Sequence, residues 1–341
     1  MAQRYEIKVQ LYLAVLLPPA AKKAVFTLAF CLVPALFLAA AAQSLPINFL
    51  FKPNGWVGYE HIGPAKIQET TVTLPSPYIG LTVPLYTSVG INREPFEARV
   101  HQIMGNFYGR YQQVAFSGLQ DSLHENGSLS RKSSSSYVAA GGFIGVKAGL
   151  GTGVWVYGVR GTMAIGQKNP SKPAFNILGA VARAHLKGLH KGYLYGLGFF
   201  ASQDLVLPIP AFGYYYKPYK EITFYVMFPV QMRLSYQAHP KINVALQSTL
   251  SARPAIVEIQ TETETRAARF NSLGFRHGLA TTFTPKKQMS IMLEGGFMLP
   301  QQLSVSDRES VDYFAKPTWF VDIMLMHSLG DKLFVSPLGN F

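Results

Sequence analysis

From Val230 the chain alternates with a period of two. Val230, Met232, Leu234 and Tyr236 are apolar, and Gln231, Arg233, Ser235 and Gln237 between and after them are polar. Successive side chains of an extended strand point to opposite faces, so this segment suits a place where one face meets grease and the other meets water. The pattern recurs. In Val154–Gly166 one face carries Trp155, Tyr157, Val159, Met163 and Ile165, and the other carries Val156, Gly158, Arg160, Thr162 and Ala164. Met289–Leu299 sets Met289, Ile291, Leu293 and Phe297 against Ser290, Glu294 and Gly296, and Thr318–Leu329 sets Trp319, Val321, Ile323 and Leu325 against Asp322 and Ser328. A soluble half-buried sheet alternates in the same way. Length separates the two cases. A strand tilted across hydrocarbon takes about 9–11 residues, whereas soluble strands run near about 5–6, and several of these segments reach the longer figure.

Ahead of the strands stands a leader. Lys22 and Lys23 precede an apolar run from Ala24 to Ala42 that ends in Ala40-Ala41-Ala42. Charge, apolar stretch and small-residue exit are the parts of a secretory signal, so residues 1–42 read as a signal peptide and residues 43–341 as one barrel domain. The run is also long enough to span a bilayer, which keeps an uncleaved anchor as the alternative; Pro34 and the alanine tail favour cleavage. Cys31, the only cysteine, lies in this leader. The remaining chain therefore offers neither a disulfide nor a thiolate metal site.

Charge points the same way. The net charge is +13, and charged residues make up only 14% of the chain while aromatics make up 13%, with 18 Tyr and 23 Phe. That is little charge for a soluble domain, and it suits a chain whose outer band faces hydrocarbon. The basic residues are scattered (Lys168, Lys172, Lys187, Lys191, Arg160, Arg233) and not clustered for nucleic acid. Outer-membrane lipid and the phosphates of lipopolysaccharide are the expected counter-charge.

Sixteen extended segments can be traced, including Trp56–Ile62, Lys66–Leu74, Tyr78–Tyr86, Phe96–Met104 and Phe107–Phe116 early in the chain. Short and early ones are expected to fuse. Connections divide into tight turns, such as residues 149–153, 238–240 and 284–287, and long polar stretches, Ser117–Ser136, Ala252–Arg269 and Pro300–Pro317. Short turns on one rim and long loops on the other belong to outer-membrane barrels of Gram-negative cells. The fold class that follows is all-β: a transmembrane antiparallel up-and-down β-barrel of about 12 strands, with 10 to 14 in range. Tyr214-Tyr215-Tyr216 with Tyr219, and Phe199-Phe200, are expected to form an aromatic girdle at headgroup level.

With the greasy face outside, Arg160, Arg233, Glu294 and Asp322 point into the lumen, and Lys147, on the small-residue face of its strand, is expected to join them. Unpaired buried charge is costly, so these groups should pair with one another or meet water, as a structural network in preference to a selectivity site. No two of the eight histidines have a strong metal spacing with a carboxylate nearby. There is no Gly-x-Ser-x-Gly elbow, Walker loop or dinucleotide fingerprint. The sequence implies no enzyme, no cofactor and no metal.

The segment Leu207-Pro208-Ile209-Pro210, the following Ala211–Tyr216, Lys217-Pro218 and the strand ending in Phe228-Pro229 resembles a family of uncharacterised outer-membrane proteins from Bacteroidota-type bacteria; Val83-Pro84-Leu85 is similar to another of its signposts. The resemblance implies location and fold, and carries no catalytic residues. The terminal Phe341 resembles the aromatic signal read by the barrel-assembly machinery, although Pro337 and Gly339 interrupt the alternation that signal requires. Two functions stay open: a porin-like channel or transporter for small solutes, and a structural or surface-interaction barrel with a plugged lumen and functional loops.

Overall fold

The computed structural model describes residues 53–329, apart from 68–69, 94–95, 118–127, 130–132, 150–152, 168–172, 187–189, 203–205, 229–230, 261–264, 300 and 307–309. The expected leader, its cleavage after Ala42, Cys31 and Phe341 lie outside the described residues.

Seventeen strands are described: β1 (Asn54–Ile67), β2 (Thr70–Arg93), β3 (Phe96–Ser117), β4 (Ser128–Leu129), β5 (Ser133–Gly149), β6 (Gly153–Gly166), β7 (Ala174–Leu186), β8 (Lys191–Ser202), β9 (Val206–Tyr216), β10 (Ile222–Phe228), β11 (Gln231–His239), β12 (Ile242–Gln260), β13 (Thr265–Lys286), β14 (Met289–Met298), β15 (Gln301–Ser306), β16 (Ser310–Ala315) and β17 (Thr318–Ser328). Fourteen of them close a ring. Each wall strand pairs antiparallel with the next one, from β1 to β3, on through β5 to β14, then β17, and β17 pairs back onto β1. β15 and β16 form a hairpin that prolongs the last wall pair, with β15 taking over from β14 along the upper part of β13.

Fourteen strands exceed the expected figure of about 12 and stand at the top of its range. Two fusions turn sixteen predicted segments into fourteen wall strands. Lys66–Leu74 and Tyr78–Tyr86 are largely one strand, β2, and Phe96–Met104 and Phe107–Phe116 are one strand, β3. Proline explains the break in the signal of β2, and Gly105-Asn106 that of β3. Proline cannot donate to a ladder, so within sheets it sits at edges and bulges. The β2–β3 ladder is interrupted between Thr73 and Tyr78, where Pro75 and Pro77 lie. The β9–β10 ladder stops at Phe212, and Pro208 and Pro210 lie beyond it. Pro84 adjoins one register shift, Pro64 another and Pro285 a third.

Alternation sorts the two faces. Outside, large apolar side chains are solvent-accessible all round the ring, among them Ile79, Phe107, Leu197, Met232, Leu234, Leu246 and Ile323. Gln231 and Arg233, which alternate with Met232 and Leu234, face inward, Gln231 buried and Arg233 half-buried. An outer surface this greasy around a polar interior is the arrangement of a transmembrane barrel. The chain ends of the ring and the tight turns share one rim, here the turn rim. Aromatics gather there: Tyr193 and Tyr195 stack on His185 with ring centroids 5.0 and 5.4 Å away, and Tyr214 stacks on Tyr216. The expected girdle is therefore split by alternation. Tyr214, Tyr216, Tyr219 and Phe199 are outside, whereas Tyr215 and Phe200 turn inward.

The described residues of Ala252–Arg269, expected as a polar loop, are strand. β12 and β13 stay paired out to Gln260 and Thr265. The expected loop Pro300–Pro317 is likewise mostly the β15–β16 hairpin.

Candidate functional site

Three carboxylates stand abreast on the inner wall. Glu60 on β1 is the register partner of Asp322 on β17, and Asp322 is the register partner of Glu294 on β14. Like charges directly opposite one another destabilise a sheet, so the row persists only with counter-charge. Arg276 on β13 supplies it to all three: Nη1 pairs with Glu60, while Nη2 donates to Glu294 Oε2 at 2.8 Å and lies 3.5 Å from Asp322 Oδ2. Its guanidinium carbon sits 4.2 Å from the centre of the Phe320 ring, which fixes it against the wall. Arg253 on β12 also pairs with Glu60, and Arg110 on β3 lies 3.3 Å from Glu60 Oε2. Tyr78 on β2 donates its hydroxyl to Asp322 Oδ1 at 2.8 Å.

The network extends both ways round the lumen. On one side the Arg110 guanidinium lies over Tyr108, and Arg160 of β6 lies over the same ring, each 5.4 Å from its centre. On the other side Arg233 of β11 is within electrostatic reach of Glu294. The result is a mid-height belt of charge running from β11 through β13, β14, β17 and β1 to β3 and β6. Among the described residues it holds five arginines and three acids (Arg110, Arg160, Arg233, Arg253, Arg276; Glu60, Glu294, Asp322). Apolar layers lie beside it: Met292, Met324 and Met326 with Trp56 on the turn-rim side, and a larger cluster around Ile62, Leu74, Val114, Phe270 and Phe320 on the other. Sandwiched this way, the ion pairs are held out of water.

That larger cluster is completed by a piece of wall that has left the wall. The β11–β12 ladder ends at Gln231 and Thr249, yet β12 continues to Gln260. Leu246 on the outer face of β12 is 60% exposed, but Leu250 and Ile256, which continue that same alternate face, are buried. The upper β12–β13 hairpin turns in across the lumen. Ala255, Val257, Ala268 and Phe270 pack on β1, β2 and β3. On its other face Ile256 and Ala267 pack on Val138 of β5, Ala164 of β6 and Ala174 of β7. β5 is seven places from β12 round the ring of fourteen, so the hairpin spans the full bore. The Glu258 amide donates to Ser134 Oγ at 3.1 Å, and Ile259 and Gln260 pair with β4. Arg253, at the hairpin's root, ties this plug to the acidic row.

The rest of the inner wall is different. Among the described residues, β7 to β10 turn no charged side chain inward at any height. Their inner faces carry Ala180, Ala182, Gly196, Gly198, Ala211 and Gly213, together with Leu178, Leu194, Phe200, Ile209, Tyr215 and Tyr225, and of these Leu178, Ala182, Phe200 and Ile209 are buried. Several of these, including Ala180, Ala211 and Tyr225, remain partly exposed although they point inward. Glycine and alanine line the part of this arc nearer the turn rim, where the wall projects least into the lumen.

Of the residues singled out from the sequence, Glu294 and Asp322 lie in the acidic row, and Arg160 and Arg233 lie at the two ends of the belt. Lys147 does not join them. It alternates with inward Val138, Ala140 and Val146, and its register partner Trp155 is an exposed outer residue. Its strand puts the small residues on the lipid side, so the small-residue face is the outer one. Glu60, Arg110, Arg253, Arg276 and Tyr78 escaped sequence reasoning. Glu60 shares its face with Trp56 and Ile62, which hides it in an apolar-looking strand, and Arg253 sits in the expected loop. The signal for the hairpin was present in Ala255-Ile256-Val257, apolar on both faces and hence in need of cover on both. Among the described residues no group of three or more metal-ligating side chains converges.

A family model described as a domain of unknown function (DUF6268) matches residues 171–336. This region contains the Leu207–Pro210 and Phe228-Pro229 motifs, while Val83-Pro84-Leu85 lies outside it. No curated protein sequence matches the chain. Among solved structures the chain is similar to the COG4313 outer membrane channel from Pseudomonas putida F1, at 12% identity and a TM-score of 0.42, covering 83% of this chain and 96% of that one. It is also similar to the transport unit of the autotransporter AIDA-I from Escherichia coli (9% identity, TM-score 0.30, covering 87% and 98%) and to the P. putida toluene transporter TodX (7% identity, TM-score 0.26, covering 87% and 93%).

Proposed function

We propose that this chain is an integral outer-membrane β-barrel, exported by the leader at residues 1–42 and of the Bacteroidota-type family that its proline motifs resemble, and that it passes small solutes along the uncharged arc of its lumen. The observation that carries this reading is the partly exposed inner face of β7 to β10, beside a plug anchored on the opposite wall. An eight-stranded barrel is filled by its own side chains, whereas larger rings leave space; fourteen strands with an uncharged arc that is rich in glycine and alanine toward the turn rim belong to the second case. Short turns face the periplasm in such barrels, which sets the turn rim inward and the folded-in hairpin at the outer mouth. The hairpin then acts as the constriction.

One observation favours the second reading, a plugged barrel that works through its surface: the hairpin reaches the diametrically opposite strand. Planar-bilayer recording of the purified, refolded protein separates the two. A solute channel gives discrete conductance steps, and these grow when residues 254–269 are replaced by a short Gly-Ser link. Silence from both proteins, with each still shifting on a gel after heating as folded barrels do, would remove the channel and leave the plugged barrel.

A further inference from the structure

The geometry points to a passage that selects anionic solutes, with Arg160 and Arg233 as its specificity-determining residues; this rests on the channel reading above. The belt does not encircle the lumen. It stops at β6 on one side and at β11 on the other, and the uncharged arc of β7 to β10 lies between those ends. Each end is an arginine. A solute moving along the uncharged arc therefore has a guanidinium on either flank and, among the described inward side chains of the arc, no carboxylate.

The sum of charge supports the same sign. Glu60, Asp322 and Glu294 are gathered on three adjacent strands and held by Arg276, Arg253 and Arg110. The acids are thus concentrated against the wall opposite the passage, and the belt as a whole carries two more cations than anions. Low-dielectric walls focus such a field into the lumen, raising the local concentration of the opposite charge. Guanidinium also presents a planar fork of donors that matches carboxylate and phosphate oxygens, and the Tyr215 and Tyr225 hydroxyls on the arc offer further donors. The expected solutes are small molecules bearing a carboxylate or a phosphate.

The test is the reversal potential of the full-length mature barrel in a planar bilayer under a potassium chloride gradient. The expected sign is that of chloride passing in preference to potassium. The Arg160→Gln, Arg233→Gln double variant should lose that offset, and the Arg160→Lys, Arg233→Lys variant should keep it, since charge is retained. Lys147→Gln, on the outer surface, should leave it unchanged. Inorganic phosphate and acetate, added in turn to one chamber, should reduce the chloride current by competing for the passage, and the stronger of the two identifies the preferred group. A conducting wild type with no preference, or with preference for potassium, overturns the inference while leaving the channel intact. An anion preference that survives the double glutamine variant overturns the assignment to these residues. A silent wild type overturns the channel reading, and this inference with it.

Discussion

The two sides of this lumen are built on opposite principles. From β12 round to β3 the inner wall is packed: an acidic row, its arginines, a methionine layer and an apolar cluster capped by the hairpin. From β7 to β10 it carries no charge among the described residues and, nearer the turn rim, mostly glycine and alanine, and the strands themselves are shorter, with β10 only 7 residues against 24 for β2 and 22 for β13. A strand crossing hydrocarbon needs no inner partner, because its ladder and its outer face are enough. One side of the ring can therefore be filled for rigidity and the other left open. The contrast teaches that the interior charge is unevenly shared: the acids with Arg110, Arg253 and Arg276 are concentrated where they hold the plug, and only Arg160 and Arg233 stand at the edges of the uncharged arc.

The comparison can be broken most severely at Glu60. Glu60→Gln leaves Arg110, Arg253 and Arg276 around a neutral group, and removing one partner of a buried ion network costs about 3–5 kcal/mol. The urea midpoint of the folded barrel in lipid, followed by its heat-dependent gel shift, should fall accordingly. Thr223→Ala on the uncharged arc should change it by less than about 0.5 kcal/mol. If the two variants lose equal stability, the walls do not differ as described.

Ile256→Ala comes next. It removes the side chain that the hairpin lays on β5 and β6, at a cost of about 2–5 kcal/mol to the docked hairpin, and single-channel steps should become larger and noisier as the plug loosens. Leu234→Arg, on the outer face of β11, should cost about 2–4 kcal/mol near the bilayer midplane, measured by the same urea titration. The smallest effect on stability is expected from Ala211→Trp. It fills the uncharged arc, so the gel shift should stay put while conductance drops.

Much of this was legible in the sequence. The period of two in β6, β11, β14 and β17 is clean, and it places Met232 and Leu234 outside and Arg233 inside without any structure. The tight turns were equally plain. Three things were hidden. The long strands β2 and β3 read as pairs of short ones: in β2 Pro75 and Pro77 interrupt the pattern where the ladder is interrupted, and in β3 Gly105-Asn106 looks like a turn. The plug read as a loop, since an inward-folded hairpin has no lipid-facing side and so loses the alternation that marks the wall. The acidic row was invisible because it is a property of register: Glu60, Asp322 and Glu294 are far apart in the chain and meet only when β1 closes on β17. Local pattern reports which face a residue takes, and only ring closure decides which residues share a height.

The division of the lumen can be measured directly, because the described residues contain no cysteine. Cys31 in the leader would be replaced where it is retained, and single cysteines placed at Ala180 and Ala211 on the arc and at Ala280 on the packed wall, where the native residue is 1% exposed. Folded barrels in lipid vesicles would then be treated with a charged, membrane-impermeant maleimide. Rapid modification at 180 and 211 with protection at 280 is the predicted result. Equal modification at all three, or protection of the arc, would contradict an interior that is full on one side and open on the other.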